Sequence, residues 1–223
     1  MGSVGFFGRT FCVTPDVLVP RPESEGVVEM ALAALREGLR AAHDAPQICD
    51  VGTGSGILAI TLACELPTAQ VTALDISAAA LAVARDNARD HGVLERVRLV
   101  CSDVLRELDP TQRFDCIVAN LPYVKRVDLK AAPDATAFEP TLALDGGPDG
   151  LAAYRVLLAT APAYLRPGAS LVLEAGPDTV PALADLAEAT FAAPAQIVVH
   201  RDLALHERIV VVRAAQGLRA REG

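Results

Sequence analysis

Asn120-Leu121-Pro122-Tyr123 follows directly on the apolar run Phe114 to Ala119, and its residue types can handle a planar NH2 group. Asn120 offers a side-chain carbonyl as acceptor, and residue 121 offers a main-chain carbonyl beside it. Pro122 fixes its own φ, donates no hydrogen bond and restricts Leu121 to extended conformations. Two acceptors held this way can take both hydrogens of an amide or an amino base, with Tyr123 as a flat face to pack on the same group. An ordinary strand-ending turn has the same composition, since Asn-x-Pro is turn chemistry. The segments upstream weigh against that plainer reading.

Upstream, Ile48-Cys49-Asp50-Val51 reads as a short apolar strand that runs into Gly52-Thr53-Gly54-Ser55-Gly56 and then an apolar helix from Ile57. Glycines let the backbone approach a ligand closely, and a new helix presents free N–H groups there. A dinucleotide fold calls for G-x-G-x-x-G, with its third glycine at position 57. Ile57 stands there instead, which argues against a pyrophosphate cradle. The ligand of similar geometry that brings no phosphate is S-adenosylmethionine.

The next strands end in chemistry of the same kind. Gln70 to Leu74 ends in Asp75, and an acid at the end of a second strand is the usual partner of ribose hydroxyls. Val97 to Cys101 ends in Ser102-Asp103, whose carboxylate can accept from an adenine amino group. With Asn120 closing the fourth strand, each strand end in turn carries either the glycine loop or an acceptor.

These strands need helices between them. Ser77 is placed to cap a helix from Ala78 to about Asp90, with Leu81, Ala84 and Ala88 on one face. Residues 1–45 read as a proline-punctuated lead-in followed by a helix from about Gly26 to Ala42. The catalytic domain is expected over 46–215, with a tail at 216–223. Residues 121–150 form a loop-rich insertion. A helix is predicted from Leu151 to Leu165, stopped by Arg166-Pro167-Gly168. A strand over Ser170 to Glu174, a helix near Val180 to Ala189, and strands near Ile197 to His200 and Arg208 to Val212 complete the chain. The closing pair suits an antiparallel edge. The fold class is α/β, a doubly wound seven-strand sheet, mostly parallel, with its crevice at the carboxyl ends of strands one to four.

The chain has 223 residues, enough for one such domain, and a net charge of −8. Over 121–150, Lys125, Arg126 and Lys130 face Asp128, Asp134, Glu139, Asp145 and Asp149, a balance of three minus five. A nucleic-acid enzyme shows a basic face to phosphates, so the balance points to a protein or small-molecule substrate. No apolar run nears the length of a membrane span, and the first residues lack a signal-peptide core, so the cytoplasm is the default compartment. Cys12, Cys49, Cys64, Cys101 and Cys116 are scattered singly and read as small, mostly buried residues without a metal or disulfide role. His43, His91, His200 and His206 read as solvated side chains. Arg21 and Glu23 suit either a lid or a surface ion pair, Glu139 suits a brace for the catalytic loop, and Glu174 a turn cap.

Taken together, Pro20-Arg21-Pro22-Glu23-Ser24-Glu25, Asp50 to Gly56, Asn120 to Tyr123 and Glu139-Pro140-Thr141-Leu142-Ala143-Leu144-Asp145-Gly146-Gly147 resemble the bacterial protein-glutamine N5-methyltransferases. Those enzymes modify the Gly-Gly-Gln glutamine of class 1 peptide-chain release factors. The likeness runs from about Phe11 to Val212 and covers the catalytic domain. The family also carries a helical N-terminal domain that helps grip the release factor, so this chain is expected to be either trimmed or a shorter relative. The resemblance implies a class I S-adenosylmethionine-dependent fold, with Gly52, Thr53, Gly54, Ser55, Gly56, Asp75, Ile76, Asp103, Val104 and Asn120 at the cofactor. It implies Asn120, Leu121, Pro122 and Tyr123 at the substrate amide, no metal, and a release factor as protein partner. The family usually has Asn-Pro-Pro-Tyr. Asn-Leu-Pro-Tyr also resembles the motif of ribosomal-RNA adenine dimethyltransferases, so adenine N6 of RNA or DNA, or a small molecule, is the alternative acceptor, and a cofactor-binding module without catalysis the remaining one.

Overall fold

Alternating apolar residues along the strands give the sheet two buried faces, and helices cover both in the computed structural model. The structure describes residues 1–38, 45–129, 139–191 and 193–215. In chain order the elements are β1 (Gly2–Phe6), β2 (Arg9–Val13), α1 (Glu25–Gly38), β3 (Gln47–Val51), α2 (Ile57–Glu65), β4 (Gln70–Asp75), α3 (Ala78–Asp90), β5 (Val97–Cys101), β6 (Phe114–Asn120), α4 (Arg126–Leu129), α5 (Ala152–Thr160), β7 (Leu165–Glu174), α6 (Val180–Thr190), β8 (Gln196–Arg201) and β9 (Glu207–Arg213). The large sheet has the order β5-β4-β3-β6-β7-β9-β8. Strands β3 to β7 pair in parallel, and β9 runs antiparallel to both β7 and β8. The fold is the expected α/β sheet with an antiparallel edge.

Ile48, Val71, Val118 and Val172 face α1 and α2, whereas Cys49, Val51, Ile117 and Leu171 face α5 and α6. The strand order turns back between β3 and β6, where Val51 lies beside Ala119. A crevice opens at the carboxyl ends there, because the chain leaves the two neighbouring strands in opposite directions. Among the described residues no helix is long and apolar enough to cross a membrane.

Some elements differ from expectation. The lead-in holds an antiparallel hairpin, β1 with β2, and Phe6 and Phe11 share a buried cluster with Val27 and Ile48. The predicted helix to Ala42 runs as α1 to Gly38, and its remaining positions, like His43 and the tail at 216–223, lie outside the described residues. Helix α5 stops at Thr160 rather than Leu165, and a single 3-10 turn, Ala161–Ala163, follows. Pro162 cannot donate to the turn before it, so the α ladder ends there. Strand β7 consequently starts at Leu165, earlier than predicted, with an irregularity in its pairing between Phe114 and Cys116. His91 is not simply solvated: its ring lies 4.6 Å from that of Phe11 and its Nε2 is 3.0 Å from the Thr10 carbonyl. Cys101 is exposed, unlike buried Cys49 and Cys116.

Candidate active site

The glycine loop is shaped by what it touches. Gly52 and Thr53 both donate to the Leu74 carbonyl, at 2.9 and 2.8 Å, which curls the chain over the end of β4. Gly52, Gly54 and Gly56 all take positive φ, where a side chain is strained. A Cβ on Gly52 would lie 2.8 Å from Leu121 Cδ2, and one on Gly56 would strike Ile60 and Ala84. A Cβ on Gly54 would meet nothing within 4 Å, because that edge of the loop faces open space.

That space is a cavity of about 290 Å³. The structure brings Gly52, Thr53, Gly54, Ser55, Asp75, Ile76, Asp103, Val104, Asn120, Leu121 and Pro122 to its wall. Gly56 stands behind the wall as the left-handed residue preceding α2. Tyr123 lies behind Pro122, its ring edge close to Gly176. The wall also takes Asp16, Val17, Leu18, Pro20, Arg21 and Ser24 from the lead-in and Pro140, Leu142, Ala143 and Asp145 from the insertion. Glu139 joins them. Its carboxylate is 3% exposed, takes both oxygens to Arg21 Nη2 at 2.9 and 2.7 Å, and accepts the Val19 N–H at 3.0 Å. Glu139 and Arg21 thus form a strap across one side of the cavity rather than a loose surface pair.

Three strand carboxyls lie at or behind the crevice, Asp50 and Glu174 fully buried and Asp75 partly so. Asp50 Oδ2 accepts from Thr53 Oγ1 at 2.6 Å and from the Ala59 N–H at 3.1 Å, so it ties the loop to the first turn of α2. Burial pushes its pKa up to about 7 against those two hydrogen bonds, and the nearby charge of Asp75 adds to the rise. Asp75 takes the Gly54 N–H at 2.8 Å and the Ser77 N–H at 2.9 Å, and burial also raises its value. Sequence reasoning passed over Asp50 as a strand residue; its position just before a glycine turn is the signal that could have found it.

The third is Glu174, 1% exposed, at the end of β7 directly beside Asn120. Burial pushes its pKa up to about 7, while the hydroxyl of Ser24, the charge of Arg208 and the amide of Asn120 draw it down. Its Oε2 has no hydrogen-bond partner among the described residues. Asn120 Nδ2 donates to Ser24 Oγ at 3.1 Å, which turns the amide nitrogen inward. No donor from the described residues takes Asn120 Oδ1, which is left as an acceptor on the cavity side.

The turn after Asn120 is pinned from two directions. The Leu121 N–H donates to the hydroxyl of buried Tyr154 at 3.1 Å, and that hydroxyl reaches the main-chain carbonyl of Glu174. The Leu121 carbonyl is 3.1 Å from the same hydroxyl, whose single proton goes to the nearer Glu174 carbonyl. From the other side, Gly146 and Gly150 lie against the backbone of Pro122 and Tyr123 so closely that a Cβ on either would overlap it. The Asp-Gly-Gly-Pro-Asp-Gly stretch is therefore a glycine bed for the Asn-Leu-Pro-Tyr turn. Tyr154 gave no signal in the sequence, where it is one aromatic on an amphipathic helix.

Comparison with known proteins places this arrangement. A family model described as methyltransferase small domain matches residues 23–137. A curated release factor glutamine methyltransferase of Moorella thermoacetica is 47% identical over 188 residues, 84% of this chain and 64% of its own length. Another, of Cereibacter sphaeroides, is 44% identical over 214 residues, 96% of this chain and 72% of its own. The chain belongs to the release factor glutamine methyltransferase family. It spans 59% to 74% of the length of such relatives. Among solved structures, the T. thermophilus 16S rRNA N2 G1207 methyltransferase in complex with AdoMet and guanosine is similar in fold, with a TM-score of 0.65 and 23% identity over 96% of this chain and 50% of that one. The hMettl16 catalytic domain gives 0.69 at 12% identity over 93% of this chain and 76% of that one.

S-adenosylmethionine is the methyl donor of this class, and the cavity suits it on two observations. The open edge at Gly54 leaves room for a ligand to lie on bare backbone. Asp16 and Asp75 reach the wall without a basic partner among the described residues, whereas Asp103 and Asp145 pair with Arg106 and Arg126 and the basic residue of the wall, Arg21, pairs with Glu139. Such a wall favours a cation over a pyrophosphate.

Proposed function

We propose that this chain methylates the side-chain amide nitrogen of a protein glutamine, the Gly-Gly-Gln glutamine of a class 1 peptide-chain release factor. The observation that carries the proposal is Asn120 at the cavity wall, with Nδ2 held by Ser24 and Oδ1 left without a donor among the described residues. The names of the curated relatives point to the same substrate.

Bound at Gly52 to Ser55, Asp75, Ile76, Asp103 and Val104, the cofactor would supply an electrophilic methyl group on a sulfonium. The chain's own residues do the rest. An amide nitrogen is a poor nucleophile because its lone pair is shared with the carbonyl. Asn120 Oδ1 and the Leu121 carbonyl take its two hydrogens and fix its orientation, so the nitrogen is aimed before the reaction begins. As positive charge grows on that nitrogen, both hydrogen bonds strengthen, which stabilises the transition state more than the ground state. Pro122 and the glycine bed under Tyr123 keep the two acceptors rigid. The proton leaves after transfer, without a dedicated base.

The charge near the motif disfavours adenine in a nucleic acid. Lys125 is paired with Asp178 at 2.7 Å and Arg126 with Asp145 at 3.0 Å, so the two basic residues described after Tyr123 are already occupied. The test is transfer of labelled methyl from S-adenosylmethionine to a class 1 release factor, beside a copy whose Gly-Gly-Gln glutamine is alanine. Label on the first alone is expected. Equal label on both, or none on either with cofactor bound, would sink the proposal.

A further inference from the structure

Asn120 can serve as an acceptor only if its amide keeps one of two nearly isosteric orientations, and the site contains a device that selects it. We propose that the ionised carboxyl of Glu174, acting through Ser24, holds the Asn120 amide with its oxygen toward the substrate, and that protonation of Glu174 releases it. The inference rests on the glutamine reading above and names a positioning residue for that reaction.

The geometry runs through one hydroxyl. Ser24, 1% exposed, accepts Asn120 Nδ2–H at 3.1 Å, so its own proton is available to the carboxylate beside it. Glu174 is adjacent to Asn120 across the β6–β7 pair, and its Oε2 is buried with no partner. A carboxylate only accepts hydrogen bonds. While Glu174 is ionised it attracts both the Ser24 hydroxyl proton and the Asn120 NH2, so Ser24 accepts from Asn120, Nδ2 is kept inward and Oδ1 outward. A protonated Glu174 carries a donor of its own. Ser24 can then accept from Glu174 and donate to Asn120, and the amide turns its oxygen inward and its NH2 toward the cavity. The substrate NH2 would then meet a second NH2, and transfer would stop.

The other groups facing Glu174 set where this switch operates. Arg208 on β9 favours ionisation, Glu23 in the turn before α1 opposes it, and burial pushes the carboxyl up to about 7. The Tyr154 hydroxyl engages the Glu174 main-chain carbonyl and not its side chain. Tyr123, itself raised by burial and by the Glu174 charge, stays a neutral phenol through this range. Glu174 is thus poised in the neutral range, so a modest change in pH redistributes the Asn120 amide.

The decisive experiment needs no catalysis. Side-chain NMR of the whole chain would follow the Asn120 amide and the Glu174 carboxyl carbon as pH is varied through neutrality. In the wild type both resonances should move with one midpoint near that of Glu174. Ser24→Ala should move the Glu174 midpoint upward and weaken the step at Asn120, and Glu174→Gln should remove that step. In the transfer assay kcat should fall on the acid side with the same midpoint. Glu174→Gln should lower kcat by about tenfold or more with an unchanged cofactor dissociation constant. A Glu174 that titrates in the ordinary carboxylate range, or an Asn120 resonance indifferent to Glu174, would overturn the inference. If the wild type labels no glutamine, the substrate assignment fails while the NMR titration still decides the switch.

Discussion

At the scale of single residues, Leu121 explains how this chain departs from the proline usual at that place in its family. A proline there would have no N–H, whereas the Leu121 N–H donates to Tyr154. A hydrogen bond to a buried phenol takes over part of the constraint that a ring would supply. Tyr154→Phe keeps the packing and strands the Leu121 N–H without a partner, at a cost of about 1–3 kcal/mol. Urea unfolding should register that loss, and kcat for transfer should fall while cofactor affinity changes little. An unaltered kcat would show that the hydroxyl does not hold the turn. Asn120 was legible in the sequence because Asn, a restrained neighbour and an aromatic announce their purpose together. Tyr154 and Glu174 were not, because their roles depend on β7 and α5 bringing them beside a turn that is far away in the chain.

At the scale of elements, periodicity and caps located β3 to β6 and α3 closely, down to the Ser77 side chain that accepts from the Ala80 N–H. The β1–β2 hairpin escaped because Gly2-Ser3-Val4-Gly5-Phe6 has weak strand propensity, and its stability comes from Phe6 and Phe11 packing on the main core. The lead-in motif is legible only afterwards, as three anchors: Arg21 to Glu139, Ser24 to Asn120, and Glu25 to the Phe7 N–H at 2.6 Å. The first anchor makes a prediction. Glu139→Ala leaves Arg21 and the Val19 N–H without their acceptor and frees the strap over the cavity. Calorimetry should find the cofactor dissociation constant raised by about tenfold, equivalent to about 1.4 kcal/mol, with the melting temperature only modestly lower. Unchanged cofactor binding would mean that the strap is ornamental to the pocket.

At the scale of the whole molecule, the net charge of −8 and the acidic cavity wall express one electrostatic design. Behind that wall, Asp50 and Glu174 are buried at a cost. That cost has a definite pH signature. Asp50 and Glu174 are both raised to about 7, from ordinary values of 3.8 and 4.5. An acid whose folded pKa lies above its unfolded one binds more protons in the native state, so stability falls as pH rises between the two values. The contribution is complete below the unfolded value and is lost as pH climbs through about 7. At about 1.4 kcal/mol per pH unit of displacement, Asp50 removes about 4 kcal/mol and Glu174 about 3 kcal/mol. The urea midpoint of the cofactor-free chain should therefore drop between about pH 5 and about pH 8, the reverse of a protein whose carboxylates are held in salt bridges. Glu174→Gln should flatten part of that slope, and saturating cofactor should flatten more of it by stabilising the ionised site. A midpoint that rises over the same interval would mean that Asp50 and Glu174 find charge partners in solution and are not held neutral by burial.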